Sequence, residues 1–123
     1  MDGKAVLSCM VLAVEAAGHE ILTIEGLPSD DCVVKAFAEQ SEPGYGTALQ
    51  CGFCTPGMLL AATALISRKG RPVEREEVVE ALGGHYCRCT GYVRILDAVV
   101  AASRGERLGT MAPTALEIRG VEP

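Results

Sequence analysis

Four of the six cysteines of this chain fall in two tight pairs. Cys51-Gly52-Phe53-Cys54 is a Cys-x-x-Cys run, and Cys87-Arg88-Cys89 is Cys-x-Cys. Neighbours at these spacings are poor cross-links for distant chain and good chelates. Four thiolates gathered from two such turns make a tetrahedral sulfur site, suited to zinc or to an iron–sulfur cluster. The competing use of six cysteines in a short chain is a disulfide framework in a secreted protein. Met1-Asp2-Gly3-Lys4 does not open a signal peptide, because the apolar stretch behind it is short and carries Glu15 early. Metal ligation in a cytoplasmic protein is therefore expected over disulfides.

Each cysteine pair runs into an apolar stretch with helical spacing. Thr55 and Thr90 suit helix N-caps, and Pro56 suits the first helical position, where its missing N–H costs nothing. Both pairs thus read as helix starts, with Cys54 and Cys89 just outside the caps. A helix N-terminus offers unpaired N–H groups and a positive dipole end, and both stabilise thiolate. The helix after Pro56 is apolar nearly all round over 57–68, with Met58 and Leu59 as core. The one after Thr90 carries Tyr92, Val93, Ile95, Leu96, Val99 and Val100 and ends near Ser103-Arg104-Gly105.

Two more helices surround these. Ser29 can cap a helix over Asp30–Gln40, with Asp30 and Asp31 in its first turn and Val33, Val34 and Phe37 as its apolar face. Cys32 lies in it without a nearby cysteine and reads as a small buried hydrophobe. Ser41–Thr47 holds Pro43, Gly44 and Gly46 and reads as a loop. A further helix begins at Pro72, with Val78, Val79 and Leu82 as its core face and Gly83-Gly84 as its end. Residues 29–105 are then a four-helix bundle with a metal site at one end, mainly α in class. Before it, residues 5–14 and 20–25 flank a turn at Gly18 and read as a β-hairpin, the tail of a β-rich unit over residues 1–28. A lone hairpin is marginal in water. Residues 106–123 lack periodicity and are expected to be mobile, or draped over a partner.

The totals limit the partners. At 123 residues the chain is one domain, or one domain plus a small appendage, and 49% hydrophobic residues suffice for a core. Without Trp, Ala, Val and Leu must do most of the packing. A net charge of -5 argues against nucleic acid and against an anionic membrane surface. No apolar run is long enough to span a bilayer.

Gln50-Cys51-Gly52-Phe53-Cys54-Thr55-Pro56-Gly57-Met58 and Cys87-Arg88-Cys89-Thr90-Gly91-Tyr92 resemble the iron–sulfur subunit of the molybdenum hydroxylases. This is the group of xanthine dehydrogenase, aldehyde oxidoreductase and carbon monoxide dehydrogenase. The resemblance runs to about residue 105 and includes Thr23-Ile24-Glu25-Gly26-Leu27. It implies a 2Fe–2S cluster held by Cys51, Cys54, Cys87 and Cys89 in an electron-transfer subunit that does no substrate chemistry itself. It implies a large partner subunit carrying molybdopterin, with Gln50 and Cys89 facing that cofactor, and an FAD-binding medium subunit. Ser8-Cys9 matches the fourth ligand of the family's N-terminal, plant-ferredoxin-like (β-grasp) 2Fe–2S domain. The Cys-x4-Cys-x2-Cys run that holds the rest of that second cluster does not precede Cys9 here. Residues 1–28 are accordingly expected to be a remnant of that domain, in a truncated chain or in one completed by another polypeptide. The alternatives are a structural zinc module with the same four cysteines, and a fragment without function. His85, ahead of the second pair, is expected to be structural rather than a ligand. Arg88 reads either as a tuner of the cluster or as a solvated charge.

Overall fold

The computed structural model describes residues 1–39 and 47–105. Four helices follow one another: α1 (Cys32–Glu39), α2 (Thr55–Lys69), α3 (Arg75–Leu82) and α4 (Val93–Arg104). Each packs on its two neighbours in a closed ring. α1 lies along α4, α2 on α3, α3 on α4, and α1 on α2. The core inside the ring is built from small and aliphatic side chains. Met58, Ala62, Val73, Val78, Ile95, Ala98, Val99 and Ala101 are fully enclosed, and Phe37 is the core's aromatic ring among the described residues. The four expected helices are thus formed, with several of their boundaries moved.

The helix starts follow the strongest available cap rather than the first. Pro28 directs a turn closed by the Asp31 N–H on the Pro28 carbonyl at 3.0 Å. Only after that turn does the helix begin, and Asp31, not Ser29, caps it. Its Oδ1 accepts from the N–H groups of Val33 at 2.8 Å and Val34 at 3.3 Å. Cys32 then falls on the first, outward position of α1 and is exposed, against the expectation of a buried residue. Val33, Ala36 and Phe37 take the inner face instead.

α3 starts at Arg75 rather than Pro72. Val73 is buried and its N–H is held by Ser103 Oγ at 3.0 Å, so this segment stays extended against the end of α4. Glu74 and Glu77 then form a reciprocal capping box. Glu77 also takes Lys69 at 2.6 Å and a two-pronged contact from Arg71 at 2.8 and 3.2 Å, tying α3 to the end of α2. These partners, Lys69 first, hold its carboxyl down at about 2. Val79, expected in the core, is half exposed on the outer face of α3.

The hairpin expected over 5–14 and 20–25 is not formed, and there is no strand among the described residues. Ser8–Met10 and Ile24–Gly26 are single 3-10 turns, and residues 13–18 are a run of turns. Asp2 closes the segment by bonds to Glu20 and His19. Among the described residues no strand lies alongside, and a two-stranded ribbon alone does not hold its ladder. Leu7, Met10, Leu12 and Val14 accordingly lie exposed. Ile24 and Leu27 do pack on the bundle core, and the Ile24–Gly26 turn rests on α2. The expected loop over Ser41–Thr47, apart from Thr47, and the expected tail over 106–123 lie outside the described residues.

Candidate metal centre

The two cysteine pairs meet at one end of the bundle. Cys54 is itself the N-cap residue of α2, with backbone angles already helical, and its carbonyl accepts from Met58 N–H at 3.2 Å. Thr55 and Pro56 lie inside the helix, one position earlier than the sequence suggested. Gly52 supplies the bend between Cys51 and Cys54, with φ +81°, a conformation open to Gly and strained for other residues.

The second pair sits on a longer turn. α4 begins only at Val93, so Cys89 stands three residues ahead of the Tyr92 cap. The delay has a local cause. Thr90 Oγ1 accepts from Tyr92 N–H at 3.2 Å and lies 3.2 Å from Cys87 Sγ, so the side chain expected to cap the helix is turned onto the cysteine loop. Gly91 and Tyr92 both take positive φ, +67° and +68°. For Tyr92 that is strained backbone. Its hydroxyl compensates: it accepts from Cys87 N–H at 2.7 Å and donates to the His85 carbonyl at 3.2 Å, lacing the loop shut.

The four thiols come together as two couples, one cysteine from each motif in each. Cys89 Sγ donates to Cys51 Sγ at 3.5 Å. Cys54 and Cys87 make up the second couple, near enough that each shifts the acidity of the other. Among the described residues no three His, Cys, Asp or Glu side chains converge as a single metal ion requires. The couples differ in exposure. Cys51 and Cys89 face solvent, Cys54 is half-buried and Cys87 is buried.

Their acidities follow from these surroundings. The Thr90 hydroxyl holds Cys87 down at about 7, and burial pushes Cys54 up to about 11. The Phe53 backbone N–H lowers Cys51, whereas Cys89 is raised because it donates to Cys51. Cys9 and Cys32 are exposed free thiols outside both couples.

The neighbours divide by role. Gln50 Nε2 donates to the Cys89 carbonyl at 3.2 Å, joining the two motifs across 39 residues. His85 packs its ring against Gly57, where an added Cβ would lie 3.0 Å from its Cδ2, and its Nδ1 is buried without a partner among the described residues. It thus fills the space between the first turn of α2 and the second cysteine loop. Arg88 is exposed and reaches Tyr86 Oη at 3.4 Å. Phe53, between the first two cysteines, is 94% exposed, and Leu49 ahead of the first pair and Tyr86 ahead of the second are exposed too.

Sequence reasoning missed three features: the two-ended role of Tyr92, the turning of Thr90 onto Cys87, and a buried carboxylate at Asp97. Asp97 is 3% exposed and paired with Arg75 and Arg94. Its signal was present, as one acid among the apolar positions of α4 with an arginine three residues before it.

The donor set fits an iron–sulfur cluster: four cysteine thiols gathered as two couples at one end of the bundle, with a helix N-terminus behind Cys54 to favour negative charge. The comparisons agree. Residues 23–100 match the model of the 2Fe–2S binding domain. The small subunit of nicotine 6-hydroxylase from Paenarthrobacter nicotinovorans is 46% identical over 102 residues, covering 83% of this chain and 59% of that one. The iron-sulfur-binding subunit of xanthine dehydrogenase from Escherichia coli O157:H7 is 39% identical over 101 residues, covering 81% and 62%. The crystal structure of quinoline 2-oxidoreductase from Pseudomonas putida 86 superposes with a TM-score of 0.69 at 41% identity, over 85% of this chain and 66% of the other. The chain spans about three fifths of the length of these two subunits. It belongs to the 2Fe–2S binding domain family of iron–sulfur subunits.

Proposed function

We propose that this chain is the electron-transfer subunit of a molybdenum-cofactor-dependent hydroxylase or dehydrogenase, without substrate chemistry of its own. The observation that carries the reading is the convergence of the Cys-x-x-Cys and Cys-x-Cys motifs as two thiol couples at one end of the bundle. Cys51 and Cys89, with Cys54 and Cys87, would hold the 2Fe–2S cluster. When bound, the cluster supplies a one-electron relay. The protein's own part is to fix the four sulfurs on two preformed turns, to shield Cys87 from water, and to keep Cys51 and Cys89 at the surface.

That exposed couple makes the electron-entry face. Gln50 braces the Cys89 backbone there, and both face the molybdopterin of a large partner subunit. Phe53 beside them is an apolar anchor for that partner. Cys9 would be one ligand of a second 2Fe–2S cluster, which would pass electrons on toward FAD in a medium subunit. Residues 29–105 are the cluster-binding unit, and 1–28 an appended segment.

Metal analysis tests this directly. Iron, acid-labile sulfide and zinc are measured per chain on anaerobically purified protein, with the visible spectrum and the electron paramagnetic resonance of the dithionite-reduced form. About two irons and two sulfides are expected for one such cluster. About four irons in a purified complex would add the Cys9 site. Zinc without sulfide refutes the electron-transfer reading.

A further inference from the structure

We infer that Thr90 is a positioning residue that sets the reduction potential of the centre through a hydrogen bond to Cys87. The inference rests on the cluster assignment above and goes beyond it to one side chain. Thr90 Oγ1 lies 3.2 Å from Cys87 Sγ. It also accepts the Tyr92 N–H at 3.2 Å, which fixes the oxygen and leaves its hydrogen to be directed. A ligated Cys87 is a thiolate with no hydrogen to give, so the hydroxyl is the donor of this pair.

The surroundings make this bond count. Cys87 is the buried member of the four cysteines, at 7% exposure, whereas Cys51 and Cys89 face water. At an exposed sulfur, water replaces a lost donor. At Cys87 the replacement is excluded, and the loop itself is held by the Tyr92 hydroxyl on Cys87 N–H and the His85 carbonyl. Tyr92 keeps its strained backbone in this arrangement, so the geometry at Thr90 is held rather than sampled.

The effect has a definite sign. The reduced centre carries one more negative charge than the oxidised one, and part of that charge resides on the cysteine sulfurs. A donor hydrogen bond strengthens with the charge of its acceptor. The Thr90 hydroxyl therefore stabilises the reduced form more than the oxidised form and raises the potential.

The test is a potentiometric titration of the full-length, cluster-loaded chain in three forms: wild type, Thr90→Val and Thr90→Ser. Valine keeps the shape and removes the hydroxyl. Serine restores it. Iron and sulfide are assayed first in each. With full clusters, Thr90→Val is expected to lose about tenfold in the reduction equilibrium, a shift of ~59 mV downward for one electron. Thr90→Ser is expected within about twofold of wild type. An unchanged potential in a fully loaded Thr90→Val overturns the inference, as does an equal drop in Thr90→Ser. A Thr90→Val chain that takes up no cluster while Thr90→Ser does assigns the hydroxyl to assembly, and also overturns it. Wild type holding zinc without sulfide defeats the underlying cluster reading instead, a result distinct from each of these.

Discussion

Arg75→Met tests the clamp between the third and fourth helices. Asp97 on α4 is 3% exposed. One carboxylate oxygen takes Nη1 of Arg75, the first residue of α3, and the other takes Nη1 of Arg94 at 3.5 Å. Methionine keeps the apolar stem of Arg75 and removes its charge. The carboxylate then stays buried with Arg94 alone, at a distance where a hydrogen bond is weak. Removing one partner of a buried ion pair costs ~3–5 kcal/mol. Here the Arg75 side chain is 32% exposed and a second guanidinium remains. Screening and that second partner bring the loss to about 2 kcal/mol. In a domain of this size that is roughly 8–16 °C in Tm.

Asp97→Asn is milder, about 1 kcal/mol, because it leaves two part-exposed guanidiniums that can turn to water. The double variant Arg75→Met, Asp97→Leu removes the buried charge altogether and is expected within about 1 kcal/mol of wild type. The assay is thermal unfolding by far-ultraviolet circular dichroism on chains loaded to equal iron content. An Arg75→Met Tm within the error of wild type, or a double variant less stable than Arg75→Met, refutes the reasoning.

Three further predictions concern the site and its frame. Cys54→Ser should abolish the cluster absorbance while Cys32→Ser leaves it intact, since Cys32 lies on the outer face of α1; loss of colour in the Cys32 variant would show a misassigned ligand. Glu77 has its pKa lowered from 4.5 to about 2, so its partners stabilise the fold fully above pH 4.5, and that contribution disappears as pH falls toward 2. The Tm gap between wild type and Glu77→Gln should close over that window, and a gap that widens with acid would reverse the sign. Phe53→Asp, at a 94% exposed position, should leave iron content and Tm unchanged yet weaken co-purification with the proposed molybdopterin-binding partner by about 2 kcal/mol or more; full retention of the complex would remove Phe53 from the proposed docking face.

Much of this protein was legible in local patterns. The thiol spacings announced a four-sulfur site, because chelation at one centre demands ligands a few residues apart. The four helices announced themselves by apolar periodicity, and their ends at Gly70, Gly83 and Gly105 by the residues that stop helices. Cap identities were less legible, since several residues near each start can accept the free N–H groups. Asp31 over Ser29, and Glu74 over Pro72, were chosen by turns and contacts outside the helix itself.

By itself, then, the sequence marked which side chains could do chemistry and determined which segments coil, because both depend on neighbours in the chain. Tertiary structure alone decided how they meet. It coupled Cys51 with Cys89 and Cys54 with Cys87, turned Thr90 from a helix cap onto a buried sulfur, and enclosed Asp97 between two arginines. It also left the expected hairpin unpaired, because strand pairing needs a neighbouring edge to hold its ladder. Each of these depends on contacts between residues distant in the chain or on burial, and neither spacing nor propensity encodes them.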